Sequence, residues 1–199
     1  MSLIQTDLPN SVRIVVADAN VLYSRCLRDY LLYAAEQGLI APHWSEQILT
    51  DMTEHLIANL TRFDAAAARR LVDAMTRTFP DALVVPQPED MARLDGFTLP
   101  DDDDRDVMAT ALAVEADVIC TSNLKHFPSS AMAGLGLVAM SPDELFVQLL
   151  SDHLAQMIEA HHHAVQGFPG ATDQSTLAAL RRAQSTRTAD GVAAALGLS

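Results

Sequence analysis

Positive charge is scarce in this chain. Thirteen lysines and arginines stand against 26 aspartates and glutamates, a formal net charge of −13. Broad, salt-driven nucleic-acid binding needs a basic surface, so any contact with RNA or DNA has to rely on a local basic patch or on divalent cations. Lysine occurs once, at Lys125. Cysteine is nearly missing as well. Cys26 and Cys120 each sit in an apolar segment, which reads as two reduced, buried thiols rather than a disulfide framework. No apolar run approaches the length of a membrane span, and the N-terminus lacks the basic-then-apolar pattern of a secretory leader. A cytoplasmic protein without membrane contact is therefore expected. What is plentiful is apolar residues, 49% of 199, enough for one sizeable core and a small appendage.

Residues 12–17, VRIVVA, form a β-branched, nearly continuous apolar run, the mark of a strand buried on both faces of a parallel sheet. The run stops at Asp18, and a helix is expected from about Val21 to Gln37, ended by Gly38. A carboxylate just past the end of a buried strand lies where open α/β sheets hold ligands, although Asp18 reads equally as the N-cap of that helix. After a connector over Leu39 to His43, Ser45 is a cap for a helix from Glu46 to about Leu60. Asp51 lies at the margin of its apolar stripe, while Glu54 points nearly opposite. A helix from Asp64, the strand ALVV and a proline-rich turn follow.

Residues 99–128, LPDDDDRDVMATALAVEADVICTSNLKHFP, carry the densest signal. A charge run is ordinarily a solvated face. At 100° per residue, however, Asp104 projects from the middle of the apolar face formed by Val107, Met108, Ala111 and Leu112, whereas Asp102, Asp103 and Asp106 project away. A carboxylate aimed at a core is costly unless compensated, so Asp104 reads as a site residue. The helix from about Asp103 to Glu115 leads into a strand over Val118 to Thr121, and another strand, GLVAM, ends at Met140. Ser141-Pro142-Asp143-Glu144 begins a helix expected to run to about Val165. Strands alternating with helices argue a three-layer α/β fold with a mostly parallel sheet. The chain divides into residues 1–165 and residues 166–199, the latter a linker and a helical appendage with helices near Leu177 to Gln184 and Ala189 to Leu196.

Asp18, Asp51 and Asp104 are thus expected at one sheet edge, with Asn123 two residues past the strand VICT and Asp101 as either an outer ligand or a turn residue. Clustered carboxylates imply a hard cation such as Mg²⁺ or Mn²⁺, which acidifies water and stabilises phosphoryl oxygens. His161 to His163 point in different directions on a helix and read as its solvated end, and Trp44 reads as packing. Arg25, Arg28 and Lys125 are open between phosphate contacts and ordinary surface charge.

The segments VVADANVL, WSEQILTDMTEHL and DDDDRDVMATALAVEADVICTSNLKHFP together resemble the PIN domain, most closely the bacterial toxins called virulence-associated protein C, in a branch with extra C-terminal helices. The resemblance covers residues 12 to about 140. It implies an α/β/α sandwich and a Mg²⁺- or Mn²⁺-dependent endoribonuclease acting on RNA. It also implies a cognate antitoxin of a type II pair and a possible homodimer. The family's first acid falls on Asp18 and its third on Asp104. Its second falls on Asp51 where glutamate is usual, with Glu54 as the fallback. Asn123, beside Thr121, takes the position after the fourth strand. Asn20 resembles a polar residue that positions water or phosphate. His126 stands where the family often has aspartate, a departure that fits either altered activity or a degenerate binding module without catalysis. A receiver-like phosphoacceptor built on Asp18, Thr121 and Lys125 is disfavoured, because the strand ALVV runs into prolines instead of a phosphorylatable aspartate.

Overall fold

The computed structural model describes residues 13–97, 99 and 104–198, with the side chains of Ser130 and Ala131 excepted. Five strands form one parallel sheet in the order β3-β2-β1-β4-β5. They are β1 (Arg13–Ala17), β2 (Ile40–Ser45), β3 (Leu83–Val84), β4 (Val118–Cys120) and β5 (Ala139–Met140). The chain adds β2 and β3 on one side of β1 and then crosses to add β4 and β5 on the other. Val15 pairs with Pro42 on one side and with Val118 on the other. The β-branched residues Val15 and Val16 are fully buried, as a strand covered on both faces requires.

Helices surround the sheet: α1 (Ala19–Tyr23), α2 (Arg25–Glu36), α3 (Glu46–Asn59), α4 (Ala65–Thr78), α5 (Pro88–Ala92), α6 (Asp104–Ala113), α7 (Ser129–Leu135), α8 (Pro142–Asp152), α9 (Leu154–Gln166), α10 (Asp173–Arg182) and α11 (Thr186–Ala195). This is the α/β/α sandwich with added C-terminal helices expected from the sequence. Ser45 and Asp64 cap α3 and α4 through their side chains, and Ser141 with Glu144 forms the capping box of α8.

Several elements differ from the sequence reading. The segment from Leu39 to His43 is no connector, because β2 occupies most of it and is central to the sheet. Pro42 hid it, since proline cannot donate to a ladder. The Trp44 amide donates to Ala82 on the β3 side (3.0 Å), so the missing donor two residues earlier faces that same side, where β3 has not yet begun. The first helix is broken at Ser24, and the Arg28 guanidinium donates to the freed carbonyl of Leu22 (2.6 Å). Buried there, Arg28 is a structural cap and not a phosphate ligand. Arg25 lies over the Phe168 ring (3.8 Å) and pairs with Asp29 (3.3 Å). The long helix after Ser141 breaks at His153 into α8 and α9. The expected linker already turns helical at Asp173, and α7 had no counterpart in the sequence reading.

Trp44 is packed, fully buried with its ring edge-on to Phe79. The histidine run is not a solvated end. His161 is fully buried, its Nδ1 shares a hydrogen bond with the Tyr30 hydroxyl and its Nε2 lies 3.0 Å from Asp173. That chain of contacts joins α2, α9 and α10. Leu177, Leu180, Ala189 and Val192 from the last two helices are buried in the same apolar core as the sheet.

Candidate functional site

The crossover between β1 and β4 leaves a crevice at the carboxyl ends of both strands, where open α/β sheets place ligands. Asp18 sits at its base. Its amide donates to the Cys120 carbonyl (3.0 Å), which continues the β1–β4 pairing by one residue and fixes the carboxylate beside Thr121. The N-cap reading of Asp18 holds, and the residue also lines the crevice. The carboxylate caps α1 by accepting from the Asn20 amide (3.3 Å), and it also accepts from the Thr121 hydroxyl (2.6 Å) and the Asn20 side chain. Asn20 is spent on both ends, since its Nδ2 also reaches Thr121 Oγ1 (3.1 Å) and its Oδ1 accepts from the Ser122 amide (2.8 Å). Burial pushes the Asp18 carboxyl above its ordinary range, and these hydrogen bonds only partly offset it.

Above Asp18 opens a cavity of about 380 Å³ whose wall includes Asp18, Asn20, Asp51, Glu54, Asp104, Asn123 and His126. Asp51 comes from α3 and is half-buried, whereas Glu54, one turn on, is exposed. Both reach the same space, so the contrast read from the helical wheel separates their burial and not their access. Asp104 opens α6 and faces His126 Nδ1 at 2.8 Å, while the Asn123 side-chain amide approaches the same nitrogen at 2.9 Å. A carboxylate can only accept, so the Asp104 contact needs a hydrogen on Nδ1, and the Asn123 amide nitrogen cannot donate to Nδ1 at the same time. His126, which the sequence reading treated only as a departure from the family pattern, lines the cavity itself. Lys125 is exposed and does not line the cavity, and Asp101 lies outside the described residues.

Asp106 corrects the reading of the acidic run. It is half-buried and its carboxylate accepts from the Ser45 hydroxyl, tying α6 to the end of β2. Desolvation raises its pKa, the Ser45 hydrogen bond lowers it, and the negative charge of Asp51 raises it further. The helical wheel missed it because the end of β2 packs over that side of α6.

Among the described residues, no three His, Cys, Asp or Glu side chains are gathered tightly enough to form a ready coordination sphere. The reason is visible in their partners: Asp18 is turned to Thr121 and Asn20, Asp51 to Gln47 (2.8 Å) and Asp104 to His126. Four carboxylates nonetheless face one space whose described wall holds no lysine or arginine. All the charged donors are oxygens, a set that suits a hard divalent ion. Also among the described residues, no helix is long and apolar enough to cross a membrane.

The family profile described as PIN domain matches residues 14–125, more than half of the chain. A protein of Mycobacterium tuberculosis (strain ATCC 25618 / H37Rv) named "Putative ribonuclease VapC50" is 43% identical over 47 residues, which cover 24% of this chain and 28% of that protein. The matched stretch thus spans little more than a quarter of that relative. No solved structure matches the chain.

Proposed function

This chain belongs to the PIN domain family, and from that membership we propose that it is a metal-dependent endoribonuclease hydrolysing RNA phosphodiester bonds. The observation that carries the reading is the cavity at the sheet crossover, with Asp18, Asp51, Glu54 and Asp104 on its wall and no lysine or arginine among its described lining. Such carboxylates repel one another, and Mg²⁺ or Mn²⁺ would relieve the repulsion. Asp18, Asp51 and Asp104 would hold the ion, with Glu54 as the alternative to Asp51. When bound, such an ion neutralises phosphoryl oxygens and acidifies water.

The chain's own residues prepare for this in three ways. Thr121 and Asn20 lock the Asp18 carboxylate through the hydrogen bonds they donate. His126, on the same cavity wall, orients Asp104 through its ring nitrogen. Asn123, held by its backbone amide to Thr121 Oγ1 (3.0 Å), is poised to hydrogen-bond a water or the scissile phosphate. The relative named as a ribonuclease supports RNA as the substrate. The motif resemblance to the virulence-associated protein C toxins extends the proposal to the toxin of a type II pair in the cytoplasm. A cognate antitoxin is its partner, and self-association to a homodimer is part of the same reading. The absence of a ready coordination sphere among the described residues favours one rival, a binding module without catalysis.

Incubating a structured RNA with the purified protein in Mg²⁺, Mn²⁺ or EDTA, beside Asp104→Asn, separates the two. Cleavage that needs the ion and vanishes in the variant is expected. Cleavage surviving in the variant refutes the assignment of Asp104, and the absence of both cleavage and Mn²⁺ binding favours the module.

A further inference from the structure

A second cavity, of about 440 Å³, adjoins the first across Asn20, which lines both. Its walls come from two distant parts of the chain. Ser24 lies at the break between α1 and α2 and Ser122 just past β4, while Asp143, Arg182 and Ser185 belong to α8 and the C-terminal helices. The lining of this space lacks its neighbour's excess of carboxylates, since it holds one acid, Asp143, and one base, Arg182. Asp143 is already neutralised: its Oδ1 accepts from the Thr188 amide and hydroxyl (both 2.8 Å) and its Oδ2 from Arg187 (2.9 Å). Arg181 is likewise occupied by Asp190 (2.8 Å). Arg182, in the last turn of α10, is exposed, lines the cavity, and makes no hydrogen bond or ion pair among the described residues. Arg182 also borders a cavity of about 260 Å³ beside Arg25, Cys26 and Asp29, so its guanidinium stands between two open spaces.

A second observation concerns Ser185. It is 1% exposed, and its Oγ has no hydrogen-bond partner among the described residues. It makes no side-chain cap for α11 either. A buried hydroxyl left unpaired costs free energy unless something supplies the partner. The residue before it, Gln184, sits in the left-handed region at φ 63°, a conformation rarely kept by a side chain other than glycine or asparagine. The turn between α10 and α11 is thus held in a costly shape, with a buried hydroxyl and a cation that have no partners among the described residues on the same wall.

We propose that this cavity is a phosphate-binding subsite for the nucleotide next to the scissile bond, with Arg182 as its cation and Ser185 and Ser122 as hydrogen-bonding groups. The inference rests on the ribonuclease reading. A single strand lying across Asn20 would put one phosphate in the carboxylate cavity and a neighbouring one against Arg182. The C-terminal helices would then extend the substrate track and not merely buttress the core. Arginine suits the task because its planar fork pairs with phosphate oxygens two at a time.

The test is binding of a fluorescein-labelled, mixed-sequence single-stranded RNA to the full chain, read by anisotropy over a salt series with Ca²⁺ present. The series is repeated with Arg182→Gln, Arg182→Lys and Arg181→Gln. One lost phosphate contact on a single strand lowers the salt slope by about 0.7, which at about 0.1 M salt is a roughly five-fold loss of affinity. Arg182→Gln should show both effects. Arg182→Lys should recover the slope, and Arg181→Gln, with the same change in net charge, should match the parent. Equal losses in the two glutamine variants would reduce the effect to diffuse charge and overturn the subsite. So would an Arg182→Gln variant that binds like the parent, and the cavity would then await a different polyanion, such as an acidic protein segment. If the parent neither binds nor cleaves RNA with any ion, the ribonuclease reading itself fails and the subsite with it.

Discussion

Helix α11 has no cap of its own, and its stability is expected to hang on one carboxylate from another helix. Ser185 makes no side-chain hydrogen bond to the first turn. The exposed amides of that turn need an acceptor, and Asp143 of α8 supplies it to the Thr188 amide and, with the same oxygen, to the Thr188 hydroxyl. Thr188 is fully buried, so water cannot easily replace that oxygen. Leaving the amide unsatisfied costs about 1–3 kcal/mol, and the hydroxyl, left with only the long contact to the Asp143 carbonyl (3.4 Å), adds to it. The Arg187 pair adds little, because that guanidinium is 61% exposed. Asp143→Ala should therefore destabilise the protein by about 3 kcal/mol, which for a chain of this size lowers Tm by roughly 6–12 °C. Asp143→Asn, which keeps an acceptor oxygen without its charge, should lose about half as much. Burial pushes the Asp143 carboxyl up, but hydrogen bonds from Thr188 and Arg187 together outweigh it and hold it below the usual carboxylate range. Stability from a carboxyl lowered in the folded state is present above the unfolded pKa and lost as pH falls through the folded one. The gap between parent and Asp143→Ala should accordingly narrow below about pH 4. Urea denaturation followed by circular dichroism, with hydrogen exchange across α11, measures both the global and the local effect. A loss under about 1 kcal/mol by both methods would refute the argument and mean that Thr188 finds other partners.

Thr121→Val removes the buried hydroxyl that orients Asp18, so RNA cleavage on the proposed reading should fall about 10- to 100-fold, and stability should fall by about 1–3 kcal/mol because Asp18 and Asn20 lose a buried partner. His126→Ala removes the ring that faces Asp104, and Mn²⁺ affinity measured by calorimetry should weaken about 10-fold; unchanged affinity would mean that the ring has no part in orienting the carboxylate. Burial lowers the His161 pKa, although Asp173 pulls it up. The unfolded chain then binds more protons below about pH 6.5, so stability falls on acidification through that range. His161→Gln should flatten the profile there, and an unaltered slope between pH 5 and 7 (roughly the histidine range) would count against it. Trp44→Ala should cost about 3–5 kcal/mol by chemical denaturation, because the ring is fully enclosed.

The sequence made the sheet legible wherever a strand was a plain apolar run. VRIVVA and VICT both read correctly because they are buried on both faces. β2 escaped because its proline tolerance depends on how far β3 extends, a fact that belongs to the neighbour and not to the strand. Both long helices were expected to be continuous because a turn broken by tertiary contacts leaves no glycine or proline behind. Ser24 and His153 mark such breaks, and the first is sustained by buried Arg28. Asp104 lines the cavity, on the side its place on the helical wheel indicated, whereas the same wheel sent Asp106 to solvent, since it cannot see β2 packed alongside. His161 was misread for the same reason: its partners, Tyr30 and Asp173, lie on other helices. What periodicity reports is one element against an average environment, and these residues are set by particular neighbours.

The hydrogen bond between Thr121 and Asp18 joins groups 103 residues apart. During synthesis at about 5–20 residues per second, that separation leaves Asp18 without its orienting hydroxyl for roughly 5–20 s. β1 spends the same interval with one edge unpaired, because β4 is not yet made. Tyr30 waits longer still, since its partner His161 lies 131 residues away. A nascent chain released early would therefore carry the first acidic residues of the site but not the crevice that unites them. On the proposed reading of the site, this order of assembly withholds the completed crevice until β4 has been made.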